Sequence, residues 1–226
     1  MTTIVHSSET MTLVGAGLAT DISIQRCVKL APKVIAADGG AQSCLRAGVN
    51  PDVIIGDLDS LDTAKTFPDS EILHIAEQDS TDFDKALRSI DAPLVLGAGF
   101  TGLRSDHYLA CLNTLVRYAD RRCILLDESD IAFLLPPNFV MELAPGTRVS
   151  LFPMGLVEGV SDGLKWPIAG LSFAPDGMIG TSNEAEGAIE ISVTAPKMLM
   201  ILPEAMLEEA IQALLACSSR WPVRDK

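Results

Sequence analysis

The sequence predicts an α/β fold: an N-terminal three-layer, Rossmann-like domain with a parallel sheet, then a small all-β domain, then a C-terminal helix. Up to residue 136, short apolar runs rich in β-branched residues alternate with segments of helical spacing, a pattern typical of a parallel sheet. From residue 137 onward, short apolar runs are separated by Gly and Pro, which indicates a β-sandwich or a barrel. We therefore place the domains at residues 1–136 and 137–226.

The elements of the first domain follow from its apolar runs and its helix-ending residues. The predicted strands are Met11–Val14, Lys33–Ala37, Val53–Gly56, Ile72–Ile75, Leu94–Leu96 and Cys123–Leu126. The predicted helices cover residues 22–30 and 41–47, a segment that begins near Asp82, and one that continues through Leu115. Pro32 and Gly48 end the first two helices, and either Ser80 or Thr81 can cap the third.

The second domain is predicted to hold four strands and a final helix. The strands are Arg148–Phe152, Ile168–Phe173, Ala188–Thr194 and Met198–Leu202. The helix begins at Pro203, a residue that suits the first helical position. Its apolar residues recur at helical spacing opposite three glutamates, so one face should pack on a core or on a partner.

Two acidic clusters follow consecutive predicted strands. Asp57 and Asp59 come directly after the third strand, and Asp79 and Asp82 come after the fourth. Ligands of open α/β sheets bind outside the carboxyl ends of the strands. Carboxylates are also the ligands that Mg²⁺ prefers, together with substrate phosphates. One such loop is equally well explained by aspartates that cap helices and form turns, whereas two in consecutive units favour a metal and phosphate site.

Three further features are suited to phosphate. Asp38-Gly39-Gly40 ends the second strand, and its paired glycines allow a ligand to approach the backbone closely. Lys85 shares a helix face with Asp82, which indicates either a surface ion pair or a metal ligand beside a phosphate ligand. A glycine-rich loop over residues 97–102 opens a helix, and Arg104 adds a fork suited to phosphate. Asp106 can either orient Arg104 or cap that helix.

Composition excludes several classes of partner. The net charge is −13, from 17 basic and 30 acidic residues, which argues against a nucleic-acid surface. No apolar run is long enough to span a bilayer, and residues 1–10 lack the pattern of a signal peptide. The five cysteines are scattered and never spaced as a CxxC pair, which indicates reduced thiols in a cytoplasmic protein.

Taken together, these motifs resemble the thiamine pyrophosphokinase family over most of the chain. In the first domain the matching segments are ADGG (37–40), PDVIIGDLDS (51–60), QDSTDFDKA (78–86) and RSDH (104–107). In the second domain they are GLKWPI (163–168) and GTSNE (180–184). The chain departs from the family pattern at Leu103, where a second glycine is usual, and at Cys111, where an Asn is more usual.

The resemblance implies transfer of diphosphate from ATP to the hydroxyl of thiamine with Mg²⁺, giving AMP and thiamine diphosphate. It also implies a C-terminal β-sandwich and a homodimer with active sites shared between subunits. It assigns metal binding to Asp57, Asp59 and Asp82, and the reaction itself to Asp79, Asp82, Lys85, Arg104 and Asp106. It assigns ATP binding to Asp38, Gly39, Gly40, Lys85 and Arg104, and thiamine binding to Gln78, Trp166, Ser182 and Asn183.

Two other functions are compatible with parts of the sequence. Asp57-Leu58-Asp59 is also the DxD metal motif of nucleotide-sugar transferases. A non-catalytic sensor of a nucleotide or of thiamine would keep the same pocket, although a pure binder has no need of so many metal carboxylates. Trp166, which the resemblance assigns to thiamine, could instead close the core of the second domain.

Overall fold

The computed structural model describes residues 5–57 and 63–223, which form two compact units. The N-terminal unit comprises the chain up to Thr114 together with Cys123–Glu128. The C-terminal unit comprises Leu115–Arg122 and the chain from Ser129 onward. The chain is a mixed α/β protein, as predicted.

The N-terminal unit is built on parallel strand pairs. Its strands are β1 (Val5–His6), β2 (Met11–Val14), β3 (Lys33–Ala37), β4 (Val53–Gly56), β5 (Glu71–His74), β6 (Ile90–Asp91), β7 (Val95–Ala98) and β8 (Cys123–Leu126). Its helices are α1 (Asp21–Leu30), α2 (Gly40–Arg46), α3 (Thr63–Thr66), α4 (Asp82–Arg88) and the start of α5 (Ser105–Arg117). The sheet order is β8-β7-β2-β3-β4-β5, every pair is parallel, and β1 pairs separately with β6.

Local sequence explains where these elements begin and end. Of the two residues that could cap α4, Thr81 does so by accepting a hydrogen bond from the Asp84 N–H. Thr20 caps α1 in the same way. Strands β2, β3, β4 and β8 have the predicted bounds because their side chains are almost all buried, so their sequences are continuous apolar runs. Strands β3 and β4 pair in parallel, with Ala37 opposite Ile55, so their carboxyl ends lie side by side.

The C-terminal unit consists of antiparallel strands and one helix. The strands are β9 (Asp130–Leu134), β10 (Asn138–Met141), β11 (Arg148–Pro153), β12 (Val157–Leu164), β13 (Ser172–Phe173), β14 (Gly180–Val193) and β15 (Met198–Pro203), and the helix is α6 (Leu207–Ala216). Their order is β13-β12-β14-β11-β15-β9, and β10 also pairs with β14. The pairs for which register is defined are antiparallel.

Three strands of this unit were not predicted from the sequence, and two others differ in length from the predicted strands. β12 reads VEGVSDGL, and only its end residues Val157 and Leu164 are buried, so it has no apolar run. The short β9 and β10 flank the paired prolines that obscured them in the sequence. β14 starts eight residues before the predicted strand, and β13 keeps only Ser172–Phe173 of the predicted 168–173.

Helix α6 confirms the predicted amphipathic segment. A short 3₁₀ turn over Glu204–Met206 precedes it, and Leu207, Ala210 and Leu214 form its buried face. The buried guanidinium of Arg122 donates hydrogen bonds to the carbonyls of Leu214, Cys217 and Ser219 at the end of the helix. Carbonyls at the end of a helix lack partners within it, so Arg122 supplies donors where the helix cannot. The Ser219 carbonyl also accepts from the Cys217 thiol at 3.5 Å.

Candidate functional site

The acidic site begins where β3 and β4 end. Asp38 follows β3 with a positive φ of 43°, and Asp57 directly follows β4. Gly56 allows the two loops to meet, because a Cβ at that position would lie only 2.9 Å from Asp38 Cβ. The Oδ1 atom of Asp38 is buried and has no hydrogen-bond partner. An orphaned buried carboxylate oxygen is costly, so this position is suited to a ligand that supplies positive charge.

Lys85 lies at the centre of this site. Its side chain is only 2% exposed, and Nζ lies 3.7 Å from Asp57 Oδ2 and 3.6 Å from Asp82 Oδ1. The pair with Asp82 was predicted from the helical spacing, but the contact with Asp57 joins α4 to the end of β4. The burial of Lys85 excludes the alternative of an ordinary surface ion pair.

The surroundings of Asp82 disfavour the charged form of its carboxylate. Burial raises the pKa of its carboxyl, and the nearby charges of Asp38 and Asp57 raise it further, whereas Lys85 lowers it. Two carboxylates, Asp57 and Asp82, therefore flank the one ammonium group of Lys85, and the charge of Asp38 also acts on Asp82. This excess of negative charge in one place is the condition under which a divalent cation binds favourably.

Gln78 and Asp79 lie in the loop between β5 and α4. Gln78 donates a hydrogen bond of 2.8 Å from Nε2 to Asp57 Oδ2, so it lies against the acidic cluster. Asp79 is exposed, and its backbone N–H donates to Glu77. Glu77 in turn accepts hydrogen bonds from Ser80 and from the Arg88 guanidinium, which ties this loop to α4.

A cavity of about 260 Å³ lies beside Asp82 in the N-terminal unit. Its walls come from two glycine-containing loops, after β2 and after β7, and from the start of α4. The residues that line it are Gly15, Ala16, Gly17, Ala37, Thr81, Asp82, Phe83, Gly99, Phe100, Thr101, Gly102, Leu103, Arg104, His107 and Cys111. The rings of Phe83 and Phe100 are 4.6 Å apart. The cavity therefore has a largely apolar wall, and Asp82 connects it to the acidic cluster.

Arg104 and Asp106 occupy the rim of this cavity. Arg104 donates from Nε and a terminal nitrogen to both carboxylate oxygens of Asp106, at 3.1 and 2.7 Å. This pairing lowers the pKa of Asp106 and raises that of Arg104. Both side chains are mostly exposed, and Asp106 orients Arg104 while it occupies one edge of the guanidinium, which is one of the two roles that the sequence allows for Asp106.

The remaining predicted residues lie in the C-terminal unit. The indole of Trp166 is 53% exposed, which excludes the alternative that it closes the domain core. Asn183 is buried and uses its side-chain amide on the Trp166 backbone: Oδ1 accepts from Trp166 N–H at 3.2 Å, and Nδ2 donates to Trp166 C=O at 2.7 Å. Ser182 has a φ of 63°, and its N–H donates to Ser150 Oγ. Asn183 therefore fixes the segment that presents the indole.

Sequence profiles of a single family match both units. The profile described as thiamin pyrophosphokinase, catalytic domain, matches residues 24–126. The profile described as thiamin pyrophosphokinase, vitamin B1 binding domain, matches residues 139–198. The chain belongs to the thiamine pyrophosphokinase family. The resemblance inferred from the sequence motifs is thereby confirmed.

Individual relatives carry the same family name. Thiamine pyrophosphokinase 2 of Arabidopsis thaliana is 32% identical over 160 residues, which cover 62% of this chain and 60% of that protein. Thiamine pyrophosphokinase 1 of Oryza sativa subsp. japonica is 32% identical over 178 residues, covering 69% and 66%. The chain thus spans about 60% of the length of the Arabidopsis relative.

Solved structures of family members share the fold. A thiamin pyrophosphokinase from Geobacillus thermodenitrificans superimposes with a TM-score of 0.69 at 25% identity, covering 86% of this chain and 96% of that chain. A thiamine pyrophosphokinase from Bacillus subtilis gives a TM-score of 0.71 at 23% identity, covering 86% and 99%.

Within this family member, the predicted metal ligands are only partly described. Asp59 lies outside the described residues, while Asp57 and Asp82 meet at Lys85. Across residues 5–57 and 63–223, no group of three or more His, Cys, Asp or Glu side chains is arranged to hold one metal ion. The donor set nevertheless fits Mg²⁺, because it consists of carboxylate oxygens with excess negative charge and one orphaned oxygen on Asp38.

Several cavity residues were missed by sequence reasoning. Phe83, Phe100 and Thr101 line the cavity. Phe83 is equally typical of a core residue, whereas Phe100 and Thr101 lie in the predicted glycine-rich loop without having been singled out. Gly15 and Gly17 also line the cavity, and both approach Gly99 closely: a Cβ on either residue would lie about 2.5 Å from Gly99 O. Gly39 and Gly40 are not among the cavity residues, and Gly40 instead packs tightly on Val14 O.

Proposed function

We propose that the protein is a thiamine diphosphokinase, which transfers diphosphate from ATP to the hydroxyl of thiamine and releases AMP and thiamine diphosphate. Membership of the family supports this activity. The observation that carries it is the buried Lys85 between Asp57 and Asp82, of which Asp82 also lines the cavity of the N-terminal unit. Such a site combines positive charge for phosphate oxygens with carboxylates for a metal ion.

ATP is proposed to occupy this cavity with its phosphates toward Asp82. Lys85 and Arg104 would bind phosphate oxygens, and the backbone at Asp38, Gly39 and Gly40 would lie near the nucleotide. Arg104 would exchange its pair with Asp106 for a phosphate, which offers the same bidentate geometry. Asp79 is exposed at the end of the neighbouring loop and is proposed to accept the proton of the thiamine hydroxyl.

A divalent cation, proposed to be Mg²⁺, would be held by Asp57 and Asp82 with Asp59. When bound, it neutralises charge on the phosphates of ATP. Gln78 would keep Asp57 oriented through its hydrogen bond to Oδ2, a role that adds to the thiamine contact predicted from the sequence.

The C-terminal unit is proposed to bind thiamine through Trp166, with Ser182 and Asn183 nearby. An aromatic face attracts an organic cation, and thiamine carries a positive thiazolium ring. We further propose the domain roles predicted from the sequence, with residues 1–136 binding ATP in a three-layer domain and residues 137–226 binding thiamine in a β-sandwich. A cytoplasmic location is likewise a proposal; no helix within the described residues is long and apolar enough to cross a membrane.

Product identification tests the activity. Incubation with ATP, Mg²⁺ and thiamine should give AMP and thiamine diphosphate in equal amounts, and Asp82→Asn should reduce turnover by orders of magnitude. A sugar-nucleotide transferase would instead release a nucleoside diphosphate from its donor, and a sensor would bind without turnover. Near-wild-type turnover of Asp82→Asn at saturating Mg²⁺ would contradict the metal assignment.

We also propose a homodimer in which each site combines Asp82 of one subunit with Trp166 of the other. Subunit exchange between two inactive variants, Trp166→Ala and Asp82→Asn, tests this arrangement. Each mixed dimer would then hold one intact site and one doubly damaged site. With half the dimers mixed, activity should return to roughly a quarter of the wild-type value. Proven exchange without recovery would place both halves of a site on one chain.

A further inference from the structure

The indole of Trp166 is held rigidly in an exposed position. Its backbone N–H and C=O both bond the Asn183 amide, and the neighbouring Lys165 N–H donates to Glu184 C=O at 2.9 Å. Two residues further on, Ile168 is buried, and its N–H donates to Ser161 Oγ. The segment is thus anchored on both sides of the ring, so its exposure does not come from a loose loop.

The exposed ring already has a cation next to it. Lys165 Nζ lies 4.7 Å from the centroid of the Trp166 ring, within the range of a cation–π interaction. The same ammonium group lies 2.7 Å from Glu184 Oε2. An aromatic face and a carboxylate together form a site for an organic cation, and the side chain of Lys165 occupies it.

This internal cation is weakly held. The side chains of Lys165 and Glu184 are 45% and 42% exposed, so solvent screens their attraction. Lysine is flexible and strongly hydrated, and it can leave the ring for solvent. A bound cation that replaces the Lys165 ammonium contacts both the Trp166 ring and the Glu184 carboxylate. A neutral ligand on the ring would instead leave Glu184 without its partner.

We infer that Lys165 acts as a resident cation, which a positively charged planar ligand must displace from Trp166 and Glu184, and that Lys165 and Glu184 thereby select cationic over neutral ligands. This inference rests on the proposed function, because it takes thiamine as the cation. It assigns roles to two residues beyond the proposed thiamine contacts: Lys165 limits affinity, and Glu184 provides the negative charge that the thiazolium meets.

Calorimetric titration of the full-length protein, without ATP, tests the inference. The two probes are thiamine and its neutral fragment, 4-amino-5-hydroxymethyl-2-methylpyrimidine, at a pH where the fragment is uncharged. Lys165→Met keeps the apolar stem and removes the competing charge, so the Kd for thiamine should fall roughly three- to thirtyfold. The Kd for the fragment should fall clearly less than that for thiamine, since the fragment no longer has to displace Lys165 but gains no attraction to Glu184.

Two further variants should bind thiamine more weakly than the wild-type protein does. Lys165→Arg should weaken thiamine binding, because a guanidinium stacks on the indole and pairs with Glu184 more strongly than an ammonium does. Glu184→Gln should also weaken it, because the carboxylate for the thiazolium is lost. Lys29→Met, an exposed lysine at the end of α1, makes the same change in net charge and should leave both Kd values unchanged.

The outcomes separate this inference from the proposed function. Unchanged or weaker thiamine binding by Lys165→Met, or an equal effect on the neutral fragment, would overturn the inference while leaving the kinase assignment intact. If Lys165→Met fails to fold, tighter or unchanged binding by Lys165→Arg would overturn it instead. Failure of the wild-type protein to bind thiamine, with or without ATP and Mg²⁺, would overturn the proposed function and this inference with it.

Discussion

Removal of the charge on Lys85 should destabilise the N-terminal unit. Lys85→Met keeps nearly the same volume in a buried position but leaves Asp57 and Asp82 without their ammonium partner. At an effective dielectric constant of about 20, contacts of this length each correspond to roughly 4–5 kcal/mol of gross attraction, which desolvation largely offsets. Loss of one partner of a buried pair costs about 3–5 kcal/mol of folding stability. Because Asp82 is 46% exposed, we expect Lys85→Met to lose about 3 kcal/mol, the lower end of this range.

Urea denaturation without divalent cations measures this loss, with Lys29→Met as the control. The control replaces an exposed lysine and should change the free energy of unfolding by less than about 1 kcal/mol. Because the carboxylates of Lys85→Met lack their internal cation, millimolar Mg²⁺ should restore about 1 kcal/mol or more, and more than it adds to the wild-type protein. A loss no larger than that of the control, or an equal effect of Mg²⁺ on both proteins, would refute the charge balance described for this site.

Three other changes test separate features. Arg104→Lys keeps the charge but not the bidentate fork, so the KM for ATP should rise roughly tenfold with little change for thiamine; a change for thiamine alone would show that Arg104 is misassigned. Hydrogen bonds from Ser80 and Arg88 lower the pKa of Glu77, so the stability lost in Glu77→Gln should be largest near neutral pH and should shrink as pH falls below 4.5; a pH-independent difference in urea denaturation would contradict this. Arg122→Met removes the hydrogen bonds that the guanidinium donates to three carbonyls at and beyond the end of α6 and should cost about 2–4 kcal/mol of stability, whereas a loss below 1 kcal/mol would show that solvent replaces the guanidinium.

The parallel strands of the N-terminal unit could be predicted because burial on both faces makes them continuous apolar runs. β4 reads VIIG with all four residues buried, and the aspartate that follows it is recognisable from that position alone. In the C-terminal unit, β10 and β12 were harder to predict because exposed residues interrupt their buried ones. β12 carries Glu158, Ser161 and Asp162 within a strand, so its sequence resembles a loop.

The site was predictable in its residues but less so in its contacts. Asp82 and Lys85 share a helix face by spacing, yet the burial of Lys85 depends on how α4 packs against β4. Asn183 was correctly singled out as part of a motif, but its bonds to the Trp166 backbone depend on the pairing of β12 with β14. Contacts of this kind join residues distant in sequence, and no local pattern encodes them.

The fate of the phosphorus atoms of ATP tests the central proposal most directly. With Mg²⁺ and thiamine, ³¹P NMR should show the loss of ATP and the growth of AMP together with a diphosphate ester on thiamine, at equal rates. Both transferred phosphorus atoms should reach thiamine in a single step, without an interval in which thiamine monophosphate or ADP accumulates. Formation of ADP with thiamine monophosphate, or release of free diphosphate without a thiamine ester, would contradict the assignment.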